Sequence, residues 1–377
     1  MMKRQHLHRA ALRRITRTIA GATLLTASLL AAQAASAQSQ LNTTSALYAR
    51  VRTMPNGELV STVTSFDGGA HIDVYASSNA GGSFAKVGQI NDAEFSSGLC
   101  CGNIYVLPRA IGSMAAGTMI WAGSVGQSAT NRRMKIKLYH STDNGRTWRY
   151  ITNPVVSPNT GGLWEPEFIV ANDGALVMFY SDETDGVHSQ RLLMKRSYNG
   201  TSWVDQTDVV VSTINADRPG MAVIGRLASG TRYMTYEMCG PAACTTFYRT
   251  STDGWNWGSA SNVGTALRLS DGRYFAHAPY NAVMANGAIL VVGQVLRNAD
   301  NTTAAGSGST LFKSASGDPA GPWVAVSAPV SVPNPDGTNP CPNYSAPLLS
   351  VAGGQVLEIA GRLQGSTCIQ YYARSGF

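Results

Sequence analysis

A tight turn ending in glycine recurs six times along the chain at nearly constant spacing. It reads Met54-Pro55-Asn56-Gly57, Ala115-Ala116-Gly117, Asn172-Asp173-Gly174, Ala228-Ser229-Gly230, Ala285-Asn286-Gly287 and Ala352-Gly353-Gly354. The glycines stand 60, 57, 56, 57 and 67 residues apart, each between two short alternating apolar runs. Asn-Gly and Asp-Gly supply the positive φ that tight hairpins require. A second hairpin signal comes after each of the first at a fixed phase. Its clearest copy is Ser141-Thr142-Asp143-Asn144-Gly145-Arg146-Thr147-Trp148, after an expected strand over 135–140. Looser copies span 77–84, 197–203, 251–257 and 314–323, with a truncated sixth at 371–375. Two hairpins per repeat make a four-stranded unit, and six such units arranged radially make a ring. The fold class expected is therefore all-β, a six-bladed β-propeller. A β-sandwich or a β-helix explains neither the period nor the strand missing from the last copy. That strand is expected from the N-terminal segment around 43–47, which would close the ring.

Charge decides the next question. The chain of 377 residues carries a formal net charge of +7, which taken alone suggests a nucleic-acid partner. Six of the basic residues, Lys3, Arg4, Arg9, Arg13, Arg14 and Arg17, lie in the first 17 positions, which hold no Asp or Glu. An apolar run from 19 to 34 comes next and leads into Ala35-Ser36-Ala37. A basic segment, a short apolar segment and a small-x-small site describe a secretory signal peptide, residues 1–37. The pair Arg13-Arg14 fits a twin-arginine signal less well than ordinary secretion. Residues 38–377 then form one nearly neutral propeller domain, which removes the reason to expect nucleic acid. No later apolar run approaches the ~20 residues that span a bilayer, so a secreted, periplasmic or extracellular monomer without a membrane partner is expected.

The motif phase also orients each blade. With the second hairpin joining strands three and four at the bottom, strand-one starts and strand-two ends lie together on top, around the axis. This places Arg50, Cys100, Cys101, Glu165, Arg218, His277 and Tyr344 near strand-one starts. Asp67, Glu183 and Glu237 fall near strand-two ends. Glu165, in Gly162-Leu163-Trp164-Glu165-Pro166-Glu167, and Glu237, in Tyr233-Met234-Thr235-Tyr236-Glu237, meet at the top of adjacent blades. Paired carboxyls are what glycoside hydrolysis needs: one protonates the leaving oxygen, and the other attacks the anomeric carbon or activates water. Trp164 would stack on a sugar face or raise a carboxyl pKa. The alternative for these glutamates is a structural ion pair with Arg218 or Arg362.

The copy at 141–148 matches the Asp-box of sialidase-type propellers, a structural staple. Together with it, Leu163-Trp164-Glu165-Pro166, Tyr180-Ser181-Asp182-Glu183, Arg218-Pro219-Gly220-Met221 and Tyr236-Glu237 resemble, in order and blade phase, the exo-1,5-α-L-arabinanase family, glycoside hydrolase family 93 of the sialidase superfamily. The resemblance runs along most of the chain after residue 37. It implies a secreted exo-acting hydrolase releasing arabinose or arabinobiose from α-1,5-linked arabinan. The mechanism implied is retaining, without cofactor or metal, with Glu165 and Glu237 as the catalytic pair. Arg50, Asp67, Trp164, Glu183, Arg218, His277 and Tyr344 are the substrate-binding candidates. Glu237, at the position of the glutamate that lies beneath the anomeric carbon in sialidases, is the preferred nucleophile. Glu167 departs from the family pattern, and strand alternation points it the same way as Glu165, which makes it a competing carboxyl.

Two other readings compete. An exo-sialidase would use Arg50 in its carboxylate clamp, Asp67 as acid and Tyr344 as nucleophile. A non-catalytic carbohydrate-binding propeller would use none of them chemically. Export makes disulfides expected. Cys239 and Cys244 flank one short loop, and Cys341 and Cys368 both lie on top. Cys100 and Cys101 are left to pair with each other unless each pairs elsewhere. His71, His140, His188 and His277 show no metal-ligand spacing, and no phosphate-binding loop is present. Arg132-Arg133 reads as a solvated loop.

Overall fold

A computed structural model describes residues 37–377, so the expected signal peptide lies outside the described residues apart from Ala37. The strands form six antiparallel sheets in chain order. Their innermost strands are Ala46–Thr53, Leu99–Val106, Leu163–Val170, Arg218–Arg226, Tyr280–Val283 and Leu348–Val351. Each blade then runs outward, as in blade three, where Leu163–Val170 pairs with Leu176–Asp182, that with Arg191–Ser197, and that with Val204–Val210. The fold is a six-bladed β-propeller.

Burial follows from this stacking. Second strands such as Leu59–Ser65, Met119–Val125 and Leu176–Asp182 are buried along their whole length, because neighbouring blades cover both faces. The outer strand Ala85–Ile90 is largely exposed. An apolar cluster fills each seam between blades. Ile120, Ile136 and Leu138 of blade two meet Phe168, Met178 and Tyr180 of blade three. Val60 and Val74 of blade one meet Trp121 and Tyr139 of blade two.

The strand-three-to-four turns share one hydrogen-bond scheme. In blade two, Ser141 Oγ accepts from Gly145 N–H at 2.8 Å, Asp143 Oδ1 accepts from Thr147 N–H at 2.9 Å, and Trp148 Nε1–H donates to Gly145 C=O at 2.9 Å. In blades one and three the acceptor is Asn79 and Asn199, whose Oδ1 takes the same kind of backbone donor. An amide oxygen can replace the carboxylate there because the turn requires only an acceptor.

Ring closure differs from the expectation in one respect. The strand completing blade six is Ser39–Gln40, paired with Tyr372 and Tyr371, and not the 43–47 segment. Ala46–Thr53 is instead the innermost strand of blade one. Asn42 turns the chain between the two: its Oδ1 accepts from Gln370 N–H, while the Gln370 side-chain amide donates to Ala46 C=O. The alternation from 46 onward belongs to a strand buried on both faces, a setting that an outermost strand cannot offer.

One irregularity repeats around the axis. In blades one to four the pairing of strand one with strand two shifts register at 47–50, 100–103, 164–167 and 220–223. Each shift holds a non-glycine residue of positive φ: Tyr48 (56°), Cys101 (61°), Glu165 (60°) and Met221 (57°). Ala278 (45°) and Ser345 (51°) occupy the equivalent place in blades five and six. Such bulges insert one residue and re-aim the side chains beyond it, at a conformational cost on the order of 1 kcal/mol each. Tyr48, Cys101, Met221 and Ala278 pack together at this level of the funnel.

The seam between blades five and six carries a buried carboxyl. Glu358 is 1% exposed, its Oε2 accepts from Val330 N–H at 2.8 Å, and its Oε1 has no partner. Burial pushes its pKa up to about 8. A folded-state pKa above the unfolded one stabilises the fold at low pH, and that contribution is lost as pH rises through the folded value. The melting temperature is therefore expected to fall between about pH 5 and pH 8, and Glu358→Gln should flatten that decline. Thermal scans of both proteins across this range check it.

Candidate active site

The axial funnel holds two cavities. The upper one, about 290 Å³, is lined by Cys100, Cys101, Trp164, Glu165, Glu183, Gln190, Arg218, Glu237, Cys239 and Tyr344. The lower one, about 400 Å³, has Glu167 as its one carboxylate, among Arg52, Arg226 and Arg232. Glu165 and Glu167 thus face different cavities, contrary to simple alternation. The bulge between Trp164 and Glu167 resets the pleat. Glu167 is tied down in the lower cavity, where its Oε2 accepts from Asn103 Nδ2 at 2.5 Å and its Oε1 lies 3.6 Å from Arg52. It does not compete with Glu165.

The two upper glutamates are held alike. Glu165 Oε2 accepts from Met221 N–H at 2.7 Å and from Ser181 Oγ at 2.8 Å. Glu237 Oε2 accepts from Ala278 N–H at 2.6 Å. Each carboxyl is therefore gripped by the bulge amide of the next blade round. Gly220 lets this happen for Glu165, since a Cβ there would stand 2.4 Å from Gln190 Nε2 and 3.1 Å from Glu165 Oε2.

Their acidities diverge for identifiable reasons. Burial pushes Glu237 up to about 8, helped by the negative charge of Glu165. Burial also raises Glu165, but the Ser181 and Met221 hydrogen bonds oppose it. Arg218 favours the ionised form of both. Two carboxyls with separated proton affinities in one cavity can divide acid and nucleophile roles between them.

Arg218 donates to Glu183 Oε1, to Gln190 Oε1 at 2.8 Å and to Ser189 Oγ at 2.8 Å. Trp164 forms part of the cavity wall, and the Arg132 guanidinium lies 5.4 Å from its ring and 3.8 Å from Glu183. The stretch read as a solvated loop thus delivers Arg132 to the rim of the site. An arginine stacked on tryptophan leaves no local sequence signal, because the two meet across blades.

Three candidates stand elsewhere. Arg50 is 2% exposed, lies 3.8 Å over the Tyr48 ring and donates to the Ser345 carbonyl and hydroxyl. The bulge at 47–50 turned it below the cavity. Asp67 is exposed on the turn 66–69, outside the cavity wall. His277 sits behind the wall: its ring abuts Gly337, within 4.8 Å of the Cys239 and Cys244 sulfurs. Those sulfurs are bonded to each other, so this trio offers no thiolate pair to a metal. Arg362, read as a possible partner of the glutamates, donates to Gln38 and lies over Tyr371 instead. Tyr344 does line the cavity; burial, then Glu237 and Glu165, push its phenol well above the ordinary range. The disulfides join Cys100 to Cys101, Cys239 to Cys244 and Cys341 to Cys368, with no free cysteine among the described residues.

No protein-family model matches the chain, and no curated protein matches it in sequence. Solved structures do resemble it. A Penicillium chrysogenum α-L-arabinanase complexed with arabinobiose superposes with a TM-score of 0.75 at 23% identity, over 91% of this chain and 98% of that one. The GH93 α-L-arabinofuranosidase of Fusarium graminearum, also with arabinobiose, gives 0.74 at 21% identity, over 90% and 97%. The NanB sialidase of Streptococcus pneumoniae gives 0.58 at 10% identity, over 92% and 71%. What these likenesses establish is the fold, a sialidase-like six-bladed β-propeller.

Proposed function

We propose that the protein is an exo-acting glycoside hydrolase that cleaves α-L-arabinofuranosyl linkages of an arabinan. The observation that carries this reading is the pair of buried glutamates in the upper cavity, one of them inclined to keep its proton. Glu237, with one hydrogen bond and a pKa near 8, is protonated at neutral pH and serves as the acid. Glu165, with two hydrogen bonds, is the carboxylate that attacks. This reverses the assignment suggested by the sialidase position of Glu237. Attack by Glu165 on the anomeric carbon breaks the glycosidic bond as Glu237 passes its proton to the leaving oxygen. Glu237 then takes a proton from water, which displaces the sugar from Glu165 with net retention. Trp164 offers an apolar wall, and Arg218, Glu183 and Gln190 offer partners for sugar hydroxyls. The arabinobiose bound by two of the neighbouring structures supports the choice of arabinan. Three disulfides and the basic, then apolar, N-terminal sequence support export.

The sialidase reading loses support. Of Arg50, Arg218 and Arg362, the arginines that blade phase offers for its clamp, Arg218 alone lines the cavity, and its guanidinium is engaged by Glu183. Tyr344 is held in its neutral form, unlike a nucleophilic phenolate. The test is to incubate the protein with linear 1,5-arabinan and with sialyllactose, and to compare Tyr344→Phe. Release of arabinose or arabinobiose, with most of it kept in Tyr344→Phe, is expected. Release of sialic acid, abolished in Tyr344→Phe, would overturn the proposal.

A further inference from the structure

The lower cavity takes no part in the chemistry proposed above, yet its charges do not balance. Arg52, Arg226 and Arg232 face a single carboxylate, Glu167, which leaves the lining at +2. Glu167 is engaged by Asn103 Nδ2 and Arg52, and Arg52 also donates to the Tyr280 hydroxyl at 2.6 Å. The excess therefore falls on Arg226 and Arg232. These two stand directly opposite each other on the paired strands Arg218–Arg226 and Arg232–Cys239, so they share one side of the sheet, and both line the cavity. Like charges in directly opposed positions repel. Arg226 is exposed and makes no hydrogen bond or ion pair among the described residues. Arg232 is 8% exposed and donates to neutral acceptors, the carbonyls of Gly230 at 2.7 Å and Val170 at 3.0 Å. Burial, and after it the charge of Arg226, lowers its pKa. Asp253, whose charge Arg232 also feels, accepts from Trp255 N–H and Asn256 N–H in its own turn and stands outside the cavity wall.

A third donor borders the pair. The Tyr105 oxygen accepts from Val170 N–H at 3.1 Å, on the residue whose carbonyl Arg232 holds, and its own proton has no acceptor among the described residues. Burial pushes this phenol up to about 12, so it stays a donor. Charge and donors together select the occupant. A cation is repelled, and a neutral sugar leaves both positive charges uncompensated. A phosphate dianion matches the charge, and its oxygens suit guanidinium forks, which grip such groups two hydrogen bonds at a time. Its five heavy atoms are small beside a cavity of about 400 Å³.

We propose that the lower cavity binds a phosphate group, as the free ion or as a phosphomonoester, between Arg226 and Arg232. Tyr105 donates to it beside Arg232. The site lies at the end of the axial funnel away from Glu165 and Glu237, and it stands whatever the upper cavity hydrolyses.

Binding is measured on the full protein by isothermal titration calorimetry with inorganic phosphate, methyl phosphate and acetate. The ionic strength is held constant at about pH 8, where both phosphates are mainly dianions. One saturable phosphate site is expected, about 10-fold or more tighter than for acetate, because a dianion answers both arginines. Arg226→Gln changes an exposed side chain and should leave the fold intact while weakening phosphate about 10-fold or more, the scale of a charge-assisted hydrogen bond. Arg226→Lys, which keeps the charge but loses the fork, should fall between the two. Methyl phosphate that binds as tightly as phosphate assigns the site to phosphomonoesters, and methyl phosphate that fails to bind assigns it to the free ion. Absence of saturable phosphate binding, acetate as tight as phosphate, or indifference to Arg226→Gln overturns the proposal. So does binding that is lost in Arg218→Gln and kept in Arg226→Gln, which would put the anion in the upper cavity.

Discussion

Glu165→Ala is expected to lower kcat/KM on linear arabinan by at least about 10³-fold while the protein keeps its melting temperature within a few degrees. The size follows from removing a group that forms and breaks a bond in the reaction, where single-residue losses commonly exceed those of acid–base partners alone. Stability is expected to survive for two reasons. Glu165 is a buried carboxyl whose burial opposes its ionisation, so its removal relieves a desolvation penalty. Alanine also tolerates the bulge conformation that Ala278 already adopts at φ 45° in the equivalent place of blade five. Azide makes the assignment specific. In Glu165→Ala a small anion occupies the vacated space and attacks from the nucleophile's side, restoring turnover and giving a glycosyl azide of inverted configuration. Retained configuration of that product, or no loss of activity, would show that Glu165 does not attack.

The blades were legible because the repeat is written twice in each unit, once by turn glycines such as Gly57 and Gly174 and once by the Ser-x-Asp-x-Gly turns. Both signals are local: Asn-Gly needs only its own backbone, and Asp143 bonds residues within four positions of itself. The phase of these turns was enough to bring Glu165, Glu237, Arg218, Glu183 and Trp164 to one cavity. What the sequence concealed was the ring of bulges. A glycine would have announced a positive φ, but Tyr48, Cys101 and Glu165 adopt it without one. A single inserted residue exchanges the faces of everything beyond it. That is why alternation makes Glu167 a rival of Glu165, and why the turn phase alone makes Arg50 a substrate ligand, when both project away from the upper cavity. The closing strand leaves no signal for a simpler reason: its two residues, Ser39 and Gln40, carry no periodicity to detect. Arg132 leaves none either, because its partners, Trp164 and Glu183, come from another blade.

The same ring explains the chemistry asked of Glu237, and its pH dependence is the sharpest consequence. Glu237 receives one backbone hydrogen bond from the bulge at Ala278, where Glu165 receives a backbone and a hydroxyl donor. The repulsion between the two charges is mutual, so the carboxyl with fewer hydrogen bonds is the one that keeps the proton. At neutral pH the pair therefore settles with its proton on Glu237. Hydrolysis of arabinan should be steady through neutrality and decline above about pH 8, as Glu237 gives up the proton that the leaving oxygen needs. An acidic limb should accompany protonation of Glu165, at a pH above that of an ordinary glutamate because burial raises it. In Glu237→Gln the alkaline limb should vanish, and arabinan hydrolysis should fall by about 10²–10⁴, the usual worth of general acid assistance. A 4-nitrophenyl arabinofuranoside, whose leaving group departs without a proton, should lose far less in its first step. pH–rate profiles on both substrates separate the roles. If Glu165→Gln removes the alkaline limb and spares the nitrophenyl substrate, the proton resides on Glu165, and the two glutamates exchange the roles given to them here.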